Sequence, residues 1–323
     1  MCLPVRSFLT GGGGQRKRLA GAMRISLLAV LLLTACAPAV PPGGAEPLAA
    51  TIQPAGEGVT RLRVGALEAW SIQDATAMRP NDGKTFAIGE DPAEVRAVLE
   101  EAGAPTDSLR LDANVLLVRT GDRLVLLDSG TGAAFGSPGR LPERLAATGV
   151  REDAITDILI SHSHGDHIGG LVRDGRLAFP NARIHMAADE WAFLQTQANQ
   201  ATTVSAIRPK VNAIAPGSAI APGVRAIAVE GHTPGHIATE IMSGGQRLVG
   251  VGDTIHHHVL SVRKPEWTVA FDRDADVAER SRRALLAAAA REGTVLFVPH
   301  FPAPGLGTVR VEGDGFAWAP LGG

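Results

Sequence analysis

Three histidines and an aspartate fall within six positions in ILISHSHGDHIGGL (Ile158–Leu171): His162, His164, Asp166 and His167. The 323-residue chain has only 10 histidines. Further on, His232 stands in GHTPGH, Asp253 in VGDT and His300 in VPHFP. Each of these four places follows an apolar run, where the chain must turn out of a core. Loops held by a rigid scaffold are where binding and catalytic side chains gather. Neutral imidazole and carboxylate suit Zn2+ and similar divalent cations, with Mn, Fe and Co also compatible. Five His and two Asp suffice for two ions when one carboxylate bridges them. A structural zinc needs only four ligands, commonly including Cys. Both cysteines, Cys2 and Cys36, lie in the N-terminal segment, so the rest of the chain has no disulfide framework and no cysteine nucleophile. Ligand count alone therefore favours a two-metal hydrolytic site.

The elements that must position these residues are legible from periodicity. LRVGALEAWSI alternates as a half-buried strand, and PAEVRAVLEEAG has helical spacing with a Gly stop. NVLLVRTGDRLVLLDSG reads as two strands joined by TGD, a hairpin with its turn residues in place. LPERLAATGV is a short helix, and ITDILIS a buried strand leading into the histidine cluster. In the second half, NARIHMAADEWAFLQ is strand then helix, VRAIAVEGHTPGH a strand ending in a loop, and IATEIMSGGQRLVGVGDT a hairpin ending in Asp253. ADVAERSRRALLAAAARE is an amphipathic helix, and GTVLFVPHFP a last strand. Both halves open with hairpins and continue with alternating strands and helices. The expected class is α/β, an αββα sandwich of two mixed β-sheets flanked by helices.

Residues 1–36 stand apart. A basic stretch precedes the apolar run ISLLAVLLLTA (Ile25–Ala35), which is too short to span a bilayer and suits a signal-peptide core. It ends in LTAC, which resembles the bacterial lipobox, with Cys36 as the lipidated residue. A plain secretory signal is the alternative, and Met23 opens a compact signal of its own. Residues 37–60, rich in Pro, Gly and Ala, read as a flexible tether, leaving 61–323 as the hydrolase domain. The expected location is periplasmic, with membrane contact only through the lipid anchor. A formal net charge of -2 gives no electrostatic footprint for nucleic acid.

SHSHGDHIGG matches the HxHxDH signature of the metallo-β-lactamase fold superfamily, and the order of His232, Asp253 and His300 after it matches as well. The segment from FDRDADVAERS to HFPAPGLGTVR is similar to the branch containing methyl parathion hydrolase and related lactonases. The resemblance implies one metal held by His162, His164 and His232, another by Asp166, His167 and His300, and Asp253 bridging them with a water or hydroxide. It implies hydrolysis of a lactone, ester or phosphotriester, with Asp253 and Asp166 as the catalytic carboxylates. The bridging Asp253 separates the chain from true β-lactamases. A β-lactamase-like amidase or thioesterase is the second reading, and a non-catalytic metal-binding lipoprotein the third. The resemblance allows a homodimer. Asp128 in LLDSG matches a position that supports the ligands from behind, and His236 would fix the loop carrying His232. His256 borders the expected pocket, while His257 and His258 read as a polar loop and His185 as structural. Trp267, Phe271 and Phe301 are candidates for an apolar pocket wall. Some superfamily lactonases carry a Tyr beside the metals; this chain has none.

Overall fold

The structure is a computed structural model that describes residues 52–135 and 138–322. The expected signal segment and most of the tether lie outside the described residues.

An eight-stranded sheet begins with β1 (Gln53–Gly56), β2 (Val59–Val64), β3 (Leu67–Pro80), β4 (Ser108–Thr120) and β5 (Arg123–Leu127), all antiparallel neighbours. Helix α1 (Pro92–Glu101) is inserted between β3 and β4, and the Asp91 side chain caps its N-terminus by accepting from Ala93 N–H. Helix α2 (Leu141–Ala147) leads to β6 (Asp157–Leu159), parallel to β5. Then follow the one-turn α3 (Gly165–Ile168), a small hairpin of β7 (Val172–Arg173) and β8 (Arg176–Leu177), β9 (Arg183–Ala187), α4 (Ala188–Gln195), α5 (Ala201–Ile207) and β10 (Val211–Ile214). The parallel strands β9 and β10 close this sheet.

The second sheet has seven strands: β11 (Ala219–Ala221), β12 (Val224–Ala228), β13 (Ile237–Ser243), β14 (Gln246–Gly250), β15 (Val295–Phe297), β16 (Leu306–Glu312) and β17 (Gly315–Pro320). Between β14 and β15 run α6 (Leu260–Arg263) and α7 (Ala275–Glu292), a crossover that makes β15 parallel to β14. Helix α7 starts on the side chain of Asp274 and stops at left-handed Gly293.

Alternation along the strands builds three layers of core. In β4, Leu116 and Val118 face the other sheet, while Val115 and Leu117 face the helices α2, α4 and α5. In β15, Val295 and Phe297 point between the sheets and Leu296 points to α7. Strands covered on both faces read as continuous apolar runs, which is why LLV and VLF carry no polar residue. The expected αββα sandwich is the fold found.

Two expectations are corrected. LRVGALEAWSI is not one strand: β2 ends at Val64, the chain turns at Gly65 with φ +56°, and β3 begins at Leu67. The turn is so short that the alternation runs through it unbroken. The tether is also shorter than residues 37–60, because β1 and β2 occupy its end. Val59 is buried, and Pro54 sits on an edge strand, where its missing N–H costs nothing.

Candidate metal centre

The first sheet delivers four of the expected side chains just beyond β6: His162, His164, Asp166 and His167. Gly169 and Gly170 let this segment lie against the loop after β5. A Cβ on Gly170 would sit 1.9 Å from the Ser129 carbonyl oxygen, and one on Gly169 would sit 2.3 Å from that of Thr131. The second sheet delivers the other three: His232 between β12 and β13, Asp253 beyond β14 and His300 beyond β15. Neither sheet supplies a full set.

The seven converge in two adjoining groups. In the first, His162 Nε2 lies 2.9 Å from His164 Nδ1 and 3.2 Å from His232 Nε2, and the last two nitrogens are 3.0 Å apart. A hydrogen bond needs one donor and one acceptor, so a triangle of three nitrogens can satisfy at most two of its edges. Asp253 adds its carboxylate to this group, all four ligand atoms lying within 4.8 Å of one another. The second group is Asp166, His167 and His300. Asp253 faces it as well, with Oδ1 3.2 Å from His167 Nε2 and Oδ2 3.1 Å from His300 Nε2. His167 Nε2 and Asp253 Oδ1 are buried and have no hydrogen-bond partner.

The electrostatics of the two groups differ. Burial holds His162 and His164 below the usual imidazole range, and takes His232 down to about 3 despite its bond to Asp272. Burial thus favours the neutral form of these rings, the form that has a lone pair to give. Burial also disfavours charge on His167 and His300, but the surrounding carboxylates, Asp253 foremost, outweigh it and raise both. Asp253 stays ionised well below the usual carboxylate range, because His167, His300 and His162 overcome its burial. Converging imidazole nitrogens beside an excess of buried carboxylate fit a divalent cation at each group, one that would take the place of the protons the carboxylates otherwise favour on His167 and His300.

Each group is braced from behind. His167 Nδ1 donates to Asp128 Oδ2 (2.9 Å), and Asp128 accepts from Ser161 N–H (2.7 Å) and Ser161 Oγ (2.9 Å). Asp128 sits in the left-handed region at φ +62° to do so. His236 accepts from Asp253 N–H at Nε2 (2.9 Å), so its Nδ1–H donates to the Val229 carbonyl (3.0 Å). It thus ties the Asp253 loop to the loop carrying His232. His300 Nδ1 donates to the Asp112 carbonyl (2.8 Å).

Three braces carry no signature in the sequence. His232 Nδ1 donates to Asp272 Oδ1 (2.9 Å). Asp272 Oδ2 accepts from Arg282 of α7 (2.6 Å), a fully buried guanidinium that also donates to the carbonyls of Thr254, Pro265 and Trp267. Glu190 of α4 accepts from Ser163 N–H (2.7 Å) and Thr233 Oγ1 (2.7 Å), linking both histidine loops. The acidic FDRDAD stretch hinted at Asp272 only by charge.

A cavity of about 710 Å3 opens over the site, lined among others by Phe135, His164, Asp253, His256, Phe271 and His300. Phe271 is thus on the pocket wall. Trp267 and Phe301 are not: Trp267 packs with Phe86 and Leu99, and Phe301 is buried against Trp318 at 4.8 Å. Their bulk is spent on core. The aromatic that takes a wall position is Phe135, stacked 6.1 Å from the His300 ring. His257 is buried rather than part of a polar loop, and its Nδ1 accepts from Leu260 N–H at the start of α6. His258 is half-buried beside it. His185 lies away from the site, donating through Nε2 to Asp157 (2.8 Å).

Residues 109–300 match the family described as the metallo-beta-lactamase superfamily. A probable metallo-hydrolase of Mycobacterium tuberculosis is 26% identical over 187 residues, covering 46% of this chain and 58% of that protein. The match therefore spans less than two thirds of that relative. Among solved structures, AidC, described as a dizinc quorum-quenching lactonase in complex with a product, N-hexnoyl-L-homoserine, matches with a TM-score of 0.77 and 31% identity. That match covers 82% of this chain and 98% of AidC. AbOPH, described as a hydrolase in the beta lactamase superfamily, matches with a TM-score of 0.73 and 29% identity, over 82% of this chain and 97% of its own. The histidine groups, the two-sheet frame and the matched span agree: the chain belongs to the metallo-β-lactamase superfamily and has the frame of its metallo-hydrolases.

Proposed function

We propose that this protein is a two-metal hydrolase that opens lactones, and related esters, of small acyl compounds. The observation that carries the reading is Asp253, whose two oxygens face both ligand groups at once. In this reading His162, His164 and His232 would hold one ion and Asp166, His167 and His300 the other, with Asp253 facing both groups. Two divalent cations so held would supply Lewis acidity toward an acyl oxygen and lower the pKa of bound water. Zinc suits the N/O donor set, and AidC, the 31%-identical relative, is described as dizinc.

The chain's own groups do the rest. Asp128 and Asp272 fix the orientation of His167 and His232, and His236 holds the backbone of Asp253. Phe135 and Phe271 give the cavity an apolar wall on which an acyl chain can lie. Lactone specificity is supported by the description of AidC, aligned along nearly its whole length, as a lactonase bound to a ring-opened homoserine product. The leader and Cys36 support an exported, lipid-anchored location.

The test is metal content of the purified chain together with hydrolysis of an acyl-homoserine lactone, an aryl ester, a phosphotriester and a penicillin. Two metals per chain and chelator-sensitive turnover of the lactone and ester are expected. Turnover of the penicillin alone, or metal binding without any hydrolysis, would sink the proposal.

A further inference from the structure

We propose that His256 is a catalytic residue that donates a ring N–H to the carbonyl oxygen of the bound substrate. This rests on the hydrolase reading above. His256 stands in the cavity wall beside Asp253 and His300, and is 1% exposed. Neither of its ring nitrogens has a hydrogen-bond partner. Leaving such a group buried and unpaired costs about 1–3 kcal/mol, so its retention needs an explanation.

Two structural explanations fail on the geometry. A ligand histidine commonly has its far nitrogen fixed from behind, as four of the five assigned above do, His164 being the exception. His167, His232 and His300 are fixed in this way by Asp128, Asp272 and the Asp112 carbonyl, while His256, though within 4.8 Å of His232 and Asp272, makes no such bond, the Asp272 carboxylate being taken by His232 and Arg282. Nor is it an orienting group for Asp253, because its Nε2 is 3.5 Å from Oδ2 and makes no hydrogen bond. Its ring is nevertheless held in place. It lies parallel to His300 at 6.0 Å, with Phe271 at 5.8 Å and Phe86 at 6.3 Å. A ring fixed in orientation and unpaired within the protein is suited to a partner that arrives in the cavity.

Hydrolysis brings such a partner. A water oxygen adds to the acyl carbon, and the C=O electron pair moves onto the carbonyl oxygen. The pair returns as the bond to the leaving oxygen breaks, and the alkoxide takes the proton from water. The carbonyl oxygen is therefore most negative midway, when a pre-placed N–H helps most. An imidazole carries at least one N–H in either protonation form. No Tyr exists in the chain to supply a phenol instead.

The test compares metal-loaded full-length wild type with His256→Leu and His256→Gln on an acyl-homoserine lactone and an aryl ester. His256→Leu should keep two metals per chain and lose about 100-fold in kcat on both substrates, with KM within a few-fold, the scale of one lost oxyanion donor. His256→Gln retains an N–H and should recover about ten-fold of that loss. If the Leu chain does not fold, His256→Phe, which keeps a ring between Phe86 and Phe271, takes its place. Three results would overturn the role: loss of a metal from the Gln variant, an unchanged kcat in the Leu variant, or a defect confined to the lactone. Wild type that holds two metals and hydrolyses neither substrate would overturn the functional reading along with it.

Discussion

Asp272 is shared between His232 and Arg282, 2.9 Å from the imidazole and 2.6 Å from the guanidinium. The arrangement connects the three-histidine group to the longest helix of the described chain. Asp272→Asn should weaken metal binding at that group by about 10- to 100-fold, the usual effect of losing a carboxylate behind a ligand histidine. Equilibrium dialysis with zinc would show one tight and one weakened equivalent. Two equivalents at unchanged affinity would show that Asp272 is not needed to orient His232.

Asp253→Ala removes the one carboxylate that faces both groups. Metal content and turnover should fall together, measured as zinc per chain and as lactone hydrolysis. Full activity with both metals retained would refute the bridging role.

Asp157 gives a prediction away from the site. It is fully buried, which opposes its charge, yet hydrogen bonds from His185, Arg123 and Thr156 hold its carboxyl far below the usual range. A carboxyl depressed in the folded state adds stability above its unfolded pKa of about 4, and that stability is lost as pH falls toward the folded value. Asp157→Asn should cost about 1–3 kcal/mol at pH 7, less than for a wholly buried pair because Arg123 is partly exposed. In urea unfolding, the gap between wild type and variant should shrink as the pH is lowered below 4. A gap that stays constant to pH 3 would mean the pair contributes nothing through its charge.

Gly170→Ala places a methyl group on the Ser129 carbonyl oxygen. The loop holding Asp128 must then move away from His167. Overpacking of this kind costs about 1–3 kcal/mol. The thermal midpoint should drop, and zinc affinity should drop with it. A variant with an unchanged midpoint and affinity would show that the two loops are not in firm contact.

The layers of the fold were readable because sandwich strands covered on both faces must be apolar throughout, and helix α7 must alternate at its own period. Four of the seven residues that converge in the two groups were readable because HxHxDH concentrates rare residue types at one strand end. Asp272, Arg282 and Glu190 were not readable. Each acts on a partner distant in sequence, 40 residues in the case of Asp272 and His232, and nothing local separates such a carboxylate from a solvated one. The aromatics show the same limit: Phe135 and Phe301 are alike in type, and only the packing decides that one lines a cavity while the other fills a core.

The loops carrying the seven residues come from both sheets, four residues from one and three from the other, with Asp253 between the groups. Ions bound there would act as a clasp across the seam of the sandwich. Neither half of the chain could keep a complete coordination shell on its own, so a fragment ending before β12 would be metal-poor however well it folded. Withdrawing the metal would loosen the seam first at its loop end, and the two sheets would lose cooperativity in unfolding before either lost its strands.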